Sequence, residues 1–232
     1  MKKSVSFITQ DGVTVCGAYS VSDVGRPDRR GRRGAVLLHM MPAAKESWMS
    51  FEPYLIEAGF GVLTIDLRGH GQSVSGPNGQ ALDYRLFGDE EHMAKIRDVK
   101  AAVGWLSEEA GITLKNIGLV GASIGANLAI AYAGTHPELP AVAALSPGLN
   151  YHGLTTEDRV RMMGAGQKLF LAASREDDRS IAAVRELSGI RPEATVREFE
   201  GAGHGTELFG TNPEFMAELA GWISDMVPER AV

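Results

Sequence analysis

The chain has 232 residues, 44% hydrophobic and 22% charged, so it reads as an ordinary globular sequence long enough to bury a sizeable core, and disorder is excluded. A formal net charge of −6 gives no general attraction to nucleic acid or an anionic membrane, and the single cysteine, Cys16, excludes an intramolecular disulfide or a cysteine zinc cluster. The one basic cluster, Arg26 to Arg33, is broken by Pro27, Asp28 and Gly31 and reads as a solvated loop rather than a phosphate site. The N-terminal segment turns polar at Thr9-Gln10-Asp11 before any run of signal-peptide length, and the apolar runs are strand-sized, short of the ~18 residues of a membrane helix. The expectation is a soluble, cytoplasmic chain.

In chain order, residues 4–9 and 13–20 are short strand-like runs joined at Asp11-Gly12, a hairpin signal, so the chain should open antiparallel. Strand and helix then alternate. Strands are predicted at 34–39, 60–66, from Ile117, at 141–145, 168–173 and 194–199. Helices are predicted near 47–58 and 89–109, after Ser123, near 156–163 and 180–187, and at 213–226. Continuous apolar strands between amphipathic helices imply a mostly parallel sheet with helices on both faces. The count is eight strands, in one domain spanning 1–232 without repeat or linker. The least regular stretch, 72–88, lies beside strand ends, where loops often shape a site.

Gly121-Ala122-Ser123-Ile124-Gly125 stands between an apolar strand and a helix. Glycines two positions either side of Ser123 permit a sharp turn that lifts its hydroxyl above the strand end, where the Ile124 N–H is a natural first donor to an oxyanion. The same pentapeptide also suits a purely structural turn, since glycine and serine are both common there. A serine nucleophile needs a base, and the base needs a carboxylate. Of six histidines, His204 sits in the glycine-rich loop Gly201-Ala202-Gly203-His204-Gly205 between the last strand and last helix. That loop belongs to the same sheet edge as Ser123. For the acid, residues 168–173 run into Ser174-Arg175-Glu176-Asp177-Asp178, and Asp177 is the choice, with Asp178 left to cap the following helix. The preceding strand end, Ser146-Pro147-Gly148-Leu149-Asn150, carries no carboxylate. His92, His136 and His152 have no metal-ligand spacing, neither H-E-x-x-H nor a dinucleotide G-x-G-x-x-G loop occurs, and no metal or cofactor is expected.

With Ser, Asp and His in this order, the chain resembles the α/β-hydrolase superfamily over nearly its whole length, in particular its compact, nearly capless carboxylesterases and dienelactone-hydrolase-like members. Asp66-Leu67-Arg68-Gly69-His70-Gly71-Gln72-Ser73 is similar to the family's D-x-R-G-H-G-x-S turn. His39-Met40-Met41-Pro42 occupies the position of its oxyanion loop, which makes the Met41 N–H the implied second donor. The pattern departs at Met40, where the family usually has glycine. By the same resemblance His39 and His70 are structural, holding loops by hydrogen bonds.

The resemblance implies hydrolysis of small to medium carboxylic esters through an acyl-enzyme on Ser123, with activity falling at acid pH as His204 protonates, ordinarily near ~6.5. Where many relatives carry a large helical cap, residues 149–167 hold one short helix, which favours an open site. Met40, Met41, Trp48, Met162, Met163, Leu208 and Phe209 are candidates to line it, although such residues more often fill a core. A thioesterase, lactonase, peptidase or acyltransferase on the same triad remains an alternative, as does a non-catalytic ligand-binding module.

Overall fold

A computed structural model describes residues 1–22 and 33–229. Eight strands make one sheet: β1 Lys2–Ile8, β2 Thr14–Ser20, β3 Arg33–Leu38, β4 Phe60–Ile65, β5 Ile117–Ala122, β6 Ala141–Leu145, β7 Lys168–Ser174 and β8 Thr195–Phe199, in the spatial order β1-β2-β4-β3-β5-β6-β7-β8. β2 runs antiparallel to β1 and β4, and the pairs from β4 through β8 are parallel. The opening hairpin turns at Thr9–Val13, where the Gly12 N–H donates to the Thr9 carbonyl at 2.9 Å.

The central strands β3 to β6 are buried along their whole length, so successive side chains feed opposite faces of the sheet. Val36, Leu38, Leu63, Ile65 and Leu119 enter one apolar layer, whereas Leu37, Val62, Val120 and Phe170 enter the other. Each fully buried aliphatic side chain of this kind contributes roughly 1.5–3 kcal/mol, which is why the sheet interior carries almost no polar residues.

The helices are α1 Glu52–Glu57, α2 Asp89–Ala94, α3 Ile96–Glu109, α4 Ile124–Ala133, α5 Glu157–Met162, α6 Asp178–Ile190, α7 Leu208–Thr211 and α8 Glu214–Met226. α3, α4 and α6 cover the first layer; α1 and α8 cover the second. Among the described residues no helix is long and apolar enough to cross a membrane.

Two predicted helices are divided. The one expected near 47–58 becomes a 3-10 turn at Lys45–Trp48 followed by α1, with Pro53 in the first turn, where its missing N–H costs nothing. The one expected at 89–109 bends at Lys95, whose N–H turns back to the His92 carbonyl at 3.2 Å, separating α2 from α3. Trp48, Leu208 and Phe209 are buried in the second layer and serve as core, with Trp48 and Phe51 both packed on Phe209. Between β6 and β7 the chain makes only a short ribbon, Asn150–Tyr151 against Leu154–Thr155, and α5.

Most of the Arg26 to Arg33 cluster lies outside the described residues. Arg33 itself begins β3 with its guanidinium over the Phe60 ring at 4.6 Å and donating to the carbonyls of Ala58 and Ser224.

Candidate active site

Ser123 follows β5 and precedes α4 with φ 55° and ψ −120°, a left-handed backbone that a non-glycine residue adopts only under strain. The strain is held from both sides. The Ser123 N–H donates to the Leu145 carbonyl at 2.8 Å, and its own carbonyl accepts from Ala126 N–H at 2.9 Å. A Cβ on Gly121 would collide with the Gly125 carbonyl, and one on Gly125 with the Leu38 carbonyl at the end of β3, so the turn closes only with glycine at both positions. The hydroxyl does not cap α4, and Ser123 is 8% exposed.

Asp177 and His204 meet across the ends of β7 and β8. The His204 Nδ1–H donates to Asp177 Oδ2 at 2.6 Å, while Asp177 Oδ1 accepts from Ser180 N–H at 3.4 Å. Asp177 is therefore both the partner of His204 and the cap of α6; Asp178, expected to cap, is instead the first helical residue. The correction has a simple cause. The two carboxylate oxygens of Asp177 face in different directions, so one side chain meets both demands. Because the Nδ1 atom is engaged as donor, the neutral imidazole keeps Nε2 as its basic nitrogen.

The loop carrying His204 is fastened by residues that the sequence pattern did not single out. Glu176 accepts from the Ser174 hydroxyl at 2.6 Å and from Gly201 N–H at 2.7 Å, and Ser174 in turn accepts from Ala202 N–H at 3.0 Å. The Ser174 hydroxyl, then the Gly201 N–H, hold the Glu176 carboxyl below the usual carboxylate range. Glu207 accepts from the His204 N–H at 2.8 Å. Ser146, at the end of β6 with φ 49°, accepts from Gly205 N–H at 2.8 Å. A Cβ on Gly205 would lie 2.6 Å from the Met40 sulfur and 3.3 Å from Ala122 Cβ. Gly205 is thus the point where the histidine loop, the turn at Ser123 and the loop after β3 come together. Among the described residues the Ser123 hydroxyl has no hydrogen-bond partner; Asp177 and His204 are joined directly, and Gly205, next to His204, lies beside the Ala122 side chain, next to Ser123.

After β3, His39 Nδ1–H donates to the Met40 carbonyl at 2.9 Å and His39 Nε2 accepts from Leu67 N–H at 2.9 Å. Burial keeps this imidazole uncharged, its pKa pushed down to about 4. The Met40–Met41 peptide is trans, so fixing the Met40 carbonyl on His39 aims the Met41 N–H the opposite way. Among the described residues neither the Met41 nor the Ile124 N–H has an acceptor. Both are free donors at the strand ends.

The segment that follows is tied to the turn after β4. The fully buried Asp66 carboxylate accepts from the Lys45 N–H at 2.9 Å, from Lys45 Nζ at 2.7 Å and from Gln72 N–H at 2.9 Å. Arg68, held by Asp98 at 2.7 Å and by Asp11 at 2.6 Å, braces the same turn against α3. Within residues 72–88, Tyr84 stacks on His70 at 3.8 Å, which donates through Nδ1–H to the Ala43 carbonyl at 3.2 Å. Among the described residues no group of three His, Cys, Asp or Glu side chains converges as a metal site.

No curated protein sequence matches the chain. Among solved structures, an esterase from Pyrococcus furiosus is 19% identical, with 98% of this chain and 91% of that one covered at a TM-score of 0.74. The esterase domain of a Rhodothermus marinus protein is 18% identical, covering 98% and 99% at 0.73. A dienelactone hydrolase from Anabaena variabilis is 16% identical, covering 99% of both chains at 0.68. At these identities the likeness is one of fold. The family model for the alpha/beta hydrolase fold matches residues 36–170, more than half of the chain and including the loop after β3 and the turn at Ser123, and the chain belongs to the α/β-hydrolase family.

Proposed function

We propose that the chain is a serine hydrolase that cleaves small to medium carboxylic esters through an acyl-enzyme on Ser123. The observation that carries this reading is the hydrogen bond from His204 Nδ1 to Asp177 Oδ2, made by loops that abut the strained turn of Ser123. With Nδ1 held, His204 Nε2 takes the Ser123 proton as Oγ attacks the ester carbonyl. Asp177 keeps the ring oriented and stabilises its cationic form. The tetrahedral oxyanion is received by the N–H groups of Met41 and Ile124, whose loss costs on the order of 3 kcal/mol each in sites of this kind. His204 then protonates the departing alkoxide, and water, deprotonated by the same Nε2, releases the acid and restores Ser123.

The substrate range follows from what covers the site. Residues 146–167 supply a two-stranded ribbon and the six-residue α5 in place of a large helical cap, which favours compact acyl groups with ready access. The named esterases and the dienelactone hydrolase of similar fold are consistent with ester chemistry. A fluorophosphonate probe followed by peptide mapping tests the reading. Labelling of Ser123 that disappears in Ser123→Ala is the expected result; folded protein that is not labelled overturns it.

A further inference from the structure

Lys95 stands at the bend between α2 and α3, and its side chain is completely buried. A buried ammonium is ordinarily paired with a carboxylate, because its desolvation is otherwise uncompensated. Among the described residues Lys95 has no such partner. Its Nζ lies 2.9 Å from His92 Nδ1, 3.3 Å from His70 Nε2 and 3.6 Å from the sulfur of Met41.

The surroundings fix the direction of these bonds. His70 donates through Nδ1–H to the Ala43 carbonyl, so its Nε2 is an acceptor, and an ammonium has three protons for three acceptors. Burial, then the closeness of His39 and Lys95, which disfavours a second positive charge, hold His70 far below the usual imidazole range; burial, then Lys95, hold His92 at about 4. Both rings are therefore neutral receivers. His39 packs edge-on against His70 at 4.8 Å, and His152, itself 3.2 Å from Asp89, stacks on His92 at 4.0 Å. From the 72–88 excursion the Phe87 ring faces Nζ at 5.7 Å and Tyr84 backs His70. From α3, Asp98 favours the charged lysine, but it is already bonded to Arg68, whose own charge opposes it. A cation in this place has one neighbour that belongs to the site, Met41.

We propose that Lys95 is a positioning residue for the oxyanion loop: its ammonium, seated on His70 and His92, holds the Met41 side chain and sets positive charge behind the N–H that receives the anion. This role rests on the reading of Ser123 as nucleophile and Met41 as donor. Burial, partly offset by Asp98, brings the lysine down to about 7. The charge is therefore present below that pH and lost above it, so turnover gains a falling alkaline limb.

The test is steady-state hydrolysis of p-nitrophenyl butyrate by the full chain between about pH 5.5 and 9.5, for the unaltered protein and for Lys95→Met, which keeps the length of the side chain without its charge. Lys95→Met is expected to lower kcat about tenfold at neutral pH with KM changed less than about twofold, and to lose the alkaline limb. His92→Phe keeps the stack on His152 but removes one acceptor, and should move the limb to lower pH. A Lys95→Met protein with unaltered kcat and an unaltered limb overturns the proposal. If that variant does not fold, the other two profiles decide: an unaltered protein with no falling limb between about pH 6.5 and 8.5, or a limb that His92→Phe leaves in place, overturns it equally. An unaltered chain that is folded yet neither turns over ester nor is labelled at Ser123 overturns the serine-hydrolase reading itself, a result distinct from loss of the Lys95 role alone.

Discussion

On the proposed acid–base side of the site, Asp177 and His204 stand on loops fastened by carboxylates and hydroxyls that take up backbone N–H groups: Glu176 on Gly201, Ser174 on Ala202, Glu207 on His204, Ser146 on Gly205. On the proposed oxyanion side, the Met40 carbonyl is held by a neutral buried imidazole, His39, and the Met41 sulfur is contacted by a buried lysine, with Asp66 fastening the following residues. The first side is half-exposed, with the His204 side chain 35% accessible, and works by charge-assisted hydrogen bonds that tolerate water. The second is dry: burial keeps the imidazoles of His39, His70 and His92 uncharged, and Asp66 is paired with Lys45. Under the proposed mechanism an imidazole that gains and loses a proton needs solvent and a carboxylate near it, whereas a donor that waits for an anion needs rigid support.

Substitutions on the two sides should therefore fail differently. Ser123→Ala or His204→Ala is expected to lower kcat by about 10⁵-fold or more with the melting temperature nearly unchanged, read by stopped-flow assay and thermal unfolding. Asp177→Asn should cost up to ~10⁴-fold, because the amide no longer stabilises the imidazolium, yet leave stability intact since asparagine is also a good helix cap. Asp178→Asn should stay within about twofold. Equal effects of the two would undo the assignment of the acid.

His39→Leu frees the Met40 carbonyl and orphans the Leu67 N–H. It should lower kcat by about 10²-fold and also destabilise the fold by about 1–3 kcal/mol, a joint loss that substitutions at His204 do not show. A stable His39→Leu protein with normal turnover would break the distinction between the two sides. Smaller still, Glu176→Ala should cost about tenfold in kcat through loosening of the His204 loop, with Glu176→Gln recovering most of it because the amide oxygen still accepts.

The dry side also has a pH signature in stability. His39 is held at about 4 in the folded chain, whereas an unfolded imidazole titrates near ~6.5, so acid favours the unfolded state, which takes up the proton. The contribution is complete above ~6.5 and is lost progressively as pH falls toward about 4. Urea unfolding across that range should show stability declining with acid, and His39→Leu should flatten the slope.

Much of this was legible in the sequence, because the readable signals are local. Alternating apolar runs announced the parallel strands to within a residue or two, and the glycines flanking Ser123 announced a turn that only they permit. The glycine-rich surroundings of His204 and the acidic strand end at Asp177 marked two loops at one edge of the sheet. Where the reading slipped, the deciding contacts were distant. Nothing in residues 89–109 foretells a bend at Lys95, since the lysine is drawn inward by His70 and Met41, 25 and 54 positions away. Asp178 rather than Asp177 was expected as the cap because a short acidic run does not say which carboxylate has an oxygen to spare.

The sequence by itself determined the order of strands and helices, the turn at Ser123 and the three residue types at the ends of β5, β7 and β8, because backbone sterics and hydrophobic period act over a few residues. Only the tertiary structure decided that Asp177 serves two donors, that Ser146 and Glu176 fasten the histidine loop, that His39 holds the Met40 carbonyl and that Lys95 lies buried against the Met41 sulfur. These follow from which loops the sheet brings side by side, and from the demand that every polar group taken out of water there find a partner.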